Sequence, residues 1–148
     1  MKKKKTLIKA VIDSNLFVSG LFAEDGPTKQ LQDLWANQKI NLAVSEEILK
    51  EIKKTLQKPY LHERLFFFAG EEDEVVELIR EKAHIVTRDL YKTDRIIDDP
   101  TDNKFLACAL ETQADYIVSG DNHLLSLKHY HGIQIVDAKT FIKIVQGK

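Results

Sequence analysis

The stretch AVIDSNLFVSG, residues 10–20, decides how this chain is read. Ala10, Val11 and Ile12 run straight into Asp13-Ser14-Asn15, and apolar residues resume at Leu16. With Leu7 and Ile8 they make a short, almost wholly apolar strand, as expected of a parallel strand covered on both faces. Asp13 therefore sets a carboxylate at the end of a buried strand, where an unpaired charge is expensive. Helix capping accounts poorly for an acid ending a central strand; a bound cation accounts for it directly.

Outward from this strand, strands and helices alternate. Leu31, Leu34 and Trp35 follow a helical period after Pro27, which predicts a helix over 28–37 with the proline near its first turn. Ile40–Val44 reads as a second strand. Ser45 then offers an N-cap to a helix carried by Ile48, Leu49, Ile52 and Leu56 and stopped by Pro59. Leu65–Ala69 is apolar without a clear period. Acids from Glu71 open a helix with Val75, Val76, Leu78 and Ile79 on its apolar face and Arg80 and Lys82 near its end. His84–Val86 is a short strand, and the acidic run Thr87–Thr101 is a connection long enough to be functional. Asp102–Leu110 predicts a small-residue helix, Tyr116–Val118 and Ile133–Ile135 two more strands, and Lys139–Val145 a closing helix. The alternation predicts an α/β fold, a parallel sheet with helices on both faces. In such sheets ligands bind at the carboxyl ends of the strands.

The bulk numbers agree with one domain over residues 1–148, with residues 1–5 a flexible basic tail. Hydrophobic residues make up 43% of the chain, enough for a core of ordinary depth, and no internal repeat or Pro/Gly-rich linker divides it. The 22 Lys+Arg and 23 Asp+Glu nearly cancel, so no global basic field points to nucleic acid. The Lys2–Lys5 run reads as a solvated tail or as an arm that contacts nucleic acid. A signal peptide is rejected because Lys9 and Asp13 interrupt the apolar region and no small-residue cleavage site follows. No apolar run is long enough to span a bilayer, so no membrane role is expected. The single cysteine, Cys108, lies in an apolar run and reads as a buried small hydrophobe. A soluble cytoplasmic protein is the expectation.

Four further carboxylates could reach the same crevice as Asp13. Asp121 follows the strand Tyr116–Val118 after Ser119-Gly120, and Asp102 opens the helix before that strand. Glu47 and Glu51, four residues apart, share one helix face. Each has an ordinary structural reading. Asp102 and Asp121 could cap helices, and the glutamates could simply be solvated. Taken together, carboxylates converging in a low-dielectric pocket repel one another unless a cation neutralises them. Oxygen-only ligands without Cys/His pairs at zinc spacing point to Mg²⁺ or Mn²⁺, and to metal-assisted hydrolysis of a phosphodiester. Ser14, Asn15 and Ser119 would be neutral partners for water or phosphate. Lys104 and His123 are candidates for phosphate contact, with a solvated surface as the alternative. Lys53, Lys54 and Lys58 read as a solvated helix face or as a basic ridge beside the groove. His129 and His131, in a polar loop, are not read as a metal pair. No interleaving of aromatic and basic residues suggests a base-stacking platform, so the residues alone argue for a phosphate or phosphodiester and not for RNA in particular.

Four segments are familiar together: VIDSNLFVSGLF (11–22), SEEILKEI (45–52), DPTDNKFLACALETQADYIVSGDNHLLSL (99–127) and GIQIVDAKTFI (132–142). They resemble a PIN domain, of the group that supplies the toxin components of bacterial and archaeal toxin–antitoxin systems. The resemblance implies a three-layer α/β/α fold with a parallel sheet of about five strands, and a Mg²⁺-dependent endoribonuclease. It places the family's acids on Asp13, Glu51, Asp102 and Asp121, with Ser14 and Asn15 as companions of the first; Glu47, one turn from Glu51, is the alternative glutamate. It also implies a small antitoxin protein as partner and a homodimer. Two other readings stand beside it. A non-catalytic RNA- or protein-binding PIN module would keep the scaffold and bind without turnover. A haloacid-dehalogenase-like phosphatase would use Asp13 as nucleophile and Gly120-Asp121 late in the chain, but its second acid would fall on position 15, which is Asn.

Overall fold

A computed structural model of the chain describes residues 7–58, 72–83, 85–87 and 102–147. The Lys2–Lys5 run, the Leu65–Ala69 segment and the connection beyond Thr87 lie outside the described residues.

The first strand, β1 (Lys9–Ile12), sits in the middle of the sheet. Ala10, Val11 and Ile12 point alternately to opposite faces, and each is no more than 2% exposed, so both faces of β1 are covered. The same holds for Leu42, Ala43 and Val44 in β2 (Asn41–Ser45). β3 (Ile85–Thr87), β4 (Tyr116–Val118), β5 (His129–Tyr130) and β6 (Ile133–Val136) complete a six-stranded sheet in the order β3-β2-β1-β4-β6-β5. Every neighbouring pair is parallel except β5 with β6, which runs antiparallel through His129↔Gln134 and Tyr130↔Ile133. The three-layer α/β/α expectation is met. The edge strand β5 adds to the strands read from sequence.

A larger difference follows β1. Ser14–Phe22 is a helix, α1, in a stretch where the sequence reading names none. Leu16, Phe17, Val18, Leu21 and Phe22 surround it with apolar side chains and mask the helical period, and Gly20 is a poor helix former. Gly20 has a packing reason to be there. A Cβ at that position would stand 2.7 Å from the Thr28 carbonyl oxygen and 3.2 Å from Gln32 Cβ, so the glycine lets α1 lie tightly against α2 (Gly26–Ala36). Phe17 and Trp35 seal that contact with ring centroids 4.8 Å apart.

The remaining helices fall close to their predicted places. α3 (Glu46–Leu56) is capped by Ser45, whose hydroxyl accepts from the Ile48 N–H at 3.1 Å. α4 (Glu72–Lys82) opens with Glu72, Asp73 and Glu74 in its first turn, and its Arg80 pairs with Glu46 of α3. α5 (Asn103–Thr112) packs across β1, β2, β3 and β4 and buries Cys108 completely. α6 (Asn122–Leu125) is one short turn, and α7 (Ala138–Val145) closes against α2. Among the described residues, no helix is long and apolar enough to cross a membrane.

This strand order locates a ligand crevice. From β1 the chain moves to β2 and β3 on one side, then returns to β4 and β6 on the other. The order therefore reverses between β1 and β4, and the carboxyl ends of those two strands flank the point where open α/β sheets bind ligands.

Candidate metal centre

Asp13 and Asp121 leave the adjacent carboxyl ends of β1 and β4 and are joined through one serine. The Ser119 hydroxyl donates to Asp13 Oδ2 at 2.7 Å and accepts from the Asp121 backbone N–H at 2.9 Å. Ser119 is fully buried, and the Asp13 N–H donates to the Val118 carbonyl at 2.9 Å, so strand pairing itself brings the three residues together. The other Asp13 oxygen, Oδ1, accepts from the Asn15 N–H at 2.9 Å. Asp13 thus caps α1, a role the sequence reading discounts. A cap oxygen and a site oxygen coexist on one carboxylate because the strand feeds directly into the helix.

Electrostatics separate Asp13 from an ordinary cap. Its side chain is buried, at 6% exposure, and desolvation pushes its pKa above the usual carboxylate value of 3.8. The hydrogen bonds from Ser119 and Asn15 pull the other way, and the nearby charges of Glu51 and Asp121 add to the upward push. Burial and like charge outweigh both hydrogen bonds.

Asp102, which the sequence offers as a site acid with helix capping as the ordinary alternative, stands at the head of α5 but makes no capping hydrogen bond with its side chain. It is buried, and a carboxylate oxygen of Asp102, one of Asp121 and an imidazole nitrogen of His123 all lie within 4.8 Å of one another. Asp121 also caps α6, accepting from the His123 N–H at 2.7 Å, and its Oδ1 stands 3.5 Å from His123 Nδ1. His123 was singled out in sequence for phosphate; its ring also reaches the acids.

The two glutamates part company. Glu47 is exposed, whereas Glu51 raises the Asp13 pKa and accepts from Lys104 Nζ at 2.7 Å. Lys104 is not on a solvated face: its side chain is 8% exposed, and its ammonium lies 5.2 Å from the centre of the Phe105 ring. Lys53 is paired with Asp73 across α3 and α4 at 2.7 Å.

A groove of about 360 Å³ opens over the pair of strand ends, lined by Asp13, Asn15, Leu16, Ser19, Gly120 and Asp121. Ser19 and Gly120 were missed in sequence. Ser19 lies four residues beyond Asn15, one turn along the same face, and that spacing was the available signal. Ser14 is fully buried and absent from the groove lining, and its hydroxyl has no hydrogen-bond partner among the described residues. A larger cavity, about 690 Å³, lies at the amino ends of β1, β4 and β6, but its acid, Asp115, accepts from the Lys9 N–H at 3.0 Å. Volume alone therefore does not single out the groove at the carboxyl ends; its acids Asp13 and Asp121 do.

The donor set fits a hard divalent cation. Asp102 and Asp121 bring carboxylate oxygens and His123 a nitrogen into one cluster, and Asp13, outside that cluster, is tied to Asp121 through Ser119.

These elements define a class. The chain matches the PIN domain family over residues 9–123, a span that contains Asp13, Glu51, Asp102 and Asp121, and it belongs to that family. The uncharacterized protein MJ1680 of Methanocaldococcus jannaschii is 33% identical over 128 residues, covering 86% of this chain and 79% of its own. Among solved structures, VapBC2 from Rickettsia felis, crystallised bound to a DNA fragment from its promoter, is similar with a TM-score of 0.57. That match has 10% identity and covers 88% of this chain and 98% of the other. PAE2754 from Pyrobaculum aerophilum gives a TM-score of 0.54 at 14% identity, over 97% of this chain and 100% of the other. At such identities the two structures bear on the fold alone.

Proposed function

We propose that this chain is a Mg²⁺- or Mn²⁺-dependent endoribonuclease, the toxin component of a toxin–antitoxin pair. The observation that carries the reading is Asp13: buried, locked by Ser119 and Asn15, and held above the usual carboxylate range beside Asp121 and Glu51. A capping aspartate has no use for that environment; a metal ligand does.

Asp13, Asp102 and Asp121 would hold the ion, with Glu51 at its flank and His123 at the rim. Bound there, Mg²⁺ or Mn²⁺ supplies a water of lowered pKa and positive charge for a phosphate that becomes more negative in the transition state. The chain does the positioning. Ser119 fixes Asp13 and the Asp121 backbone in one hydrogen-bonded unit, and Asn15 and Ser19 give the groove a polar wall for a phosphodiester. RNA as substrate, a small antitoxin as partner, a homodimer, a single domain over 1–148 and a cytoplasmic location extend the family reading. The VapBC2 neighbour supports the toxin–antitoxin part only by its shared fold.

The test is incubation of the purified chain with single-stranded RNA and matched DNA in Mg²⁺, Mn²⁺ or EDTA, beside Asp13→Asn and Asp121→Asn. RNA cleavage that requires the metal and vanishes in both variants is the expected result. A folded, metal-binding chain that cuts neither polymer moves the reading to a non-catalytic binding module.

A further inference from the structure

The carboxylates at the strand ends are not equivalent. Asp102 and Asp121 approach each other and His123, whereas Glu51 already holds a cation, the Lys104 ammonium at 2.7 Å. Lys104 stands in the first turn of α5, two residues after Asp102. A positive charge is disfavoured there, because the amino end of a helix is itself positive. It is also nearly buried, which costs a lysine its hydration unless anions replace the water. A lysine kept in so unfavourable a place needs anionic partners, and Glu51 is one that it touches.

We infer that Lys104 is a resident cation occupying the second positive position of the centre, so that the site takes one exchangeable divalent ion. The proposal rests on the metal-centre reading above. Hydrolytic sites built on carboxylates often hold two divalent ions about 3.5–4 Å apart, one on each side of the phosphate. A second divalent ion at Glu51 would meet an ammonium already bonded to the same carboxylate, and the two cations would repel at short range in a partly dry site. Four carboxylates and one ammonium leave three formal negative charges, of which one divalent ion neutralises two. Lys104 is then a positioning residue. It holds Glu51 and supplies fixed positive charge beside that carboxylate.

The test counts Mn²⁺ per chain, by isothermal titration calorimetry and by the electron paramagnetic resonance signal of unbound Mn²⁺. The chains are wild type, K104R, K104Q and K104M, each first shown to be folded by circular dichroism. Wild type and K104R are expected to bind one ion, and K104Q and K104M two, since both lose the ammonium and K104M keeps the stem against Phe105. Two ions on wild type overturn the proposal without reference to any variant. One ion on both neutral variants, at whatever affinity, also overturns it while leaving the metal centre standing. No Mn²⁺ on any folded chain overturns the metal reading itself, and the role of Lys104 falls with it.

Discussion

Asp13 and Asp137 each leave the carboxyl end of a parallel strand and cap the helix that follows. Asp13 accepts from the Asn15 N–H at 2.9 Å, and Asp137 from the Thr140 N–H at 2.8 Å. There the likeness ends. Asp137 is exposed, and its hydrogen bonds from Thr140, with Lys139 and Lys143 nearby, hold its carboxyl below the usual 3.8. Asp13 is buried among other acids, and burial pushes its carboxyl above that value. One local motif therefore serves two ends: at β6 it stabilises a helix, and at β1 it also aims a carboxylate into a groove. Local sequence decides the cap, and sheet position decides whether the cap becomes a site.

The contrast breaks most visibly in activity. Asp13→Asn is expected to lower metal-dependent RNA cleavage by more than about 100-fold, because it removes a ligand rather than an outer partner. Asp137→Asn should stay within about twofold, since the residue is exposed and belongs neither to the acidic cluster nor to the groove lining. Equal losses in initial-rate assays would erase the distinction. Mn²⁺ sharpens it from the side of binding. At about one hundred times its dissociation constant, the ion should stabilise wild type and Asp137→Asn by about 2.7 kcal/mol and Asp13→Asn far less, read as shifts in thermal unfolding.

Ser119→Ala probes what links Asp13 to Asp121. It removes a donor to a buried carboxylate and an acceptor for the Asp121 N–H, and should cost about 1.5–3 kcal/mol in urea unfolding. The smallest effects are the caps themselves. Asp137→Ala should cost about 1 kcal/mol at neutral pH, the usual worth of a capping side chain. In EDTA the two aspartates should bend the pH–stability curve in opposite directions. Asp137, depressed in the folded state, contributes stability above its unfolded value of 3.8 that is lost as pH falls through its lower folded value. Asp13, raised in the folded state, costs stability above 3.8, and acidification relieves that cost. The gap between wild type and Asp137→Asn should hold from neutral pH down to about 3.8 and narrow as pH falls below it, and metal-free Asp13→Asn should melt no lower than wild type at pH 7. A marked loss of stability in Asp13→Asn would mean that the carboxylate serves the fold and not the site.

What the sequence makes legible follows from range. The β1–Asp13 junction, the Ser45 cap and the strand before Asp121 are written in neighbouring residues, and they stand in the structure close to where they were read. The helix α1 was hidden by apolar residues on every side. The strand β5 was hidden by its length, since two residues carry no period. The cap at Asp13 is discounted from sequence, and Asp102 is left between cap and site acid, because capping depends on backbone angles that neighbouring residues do not fix. Glu47 and Glu51 share a helix face in sequence and are told apart by what lies far away in the chain: Asp13, and Lys104 fifty-three residues beyond Glu51.

The short strand β5 bears on how copies of this chain could meet. At that edge the sheet ends in two residues paired antiparallel, so a second chain would find too little open backbone to add itself as a further strand. The edge is blunted against runaway strand addition. Among the described residues the opposite edge strand, β3, is likewise short, at three residues.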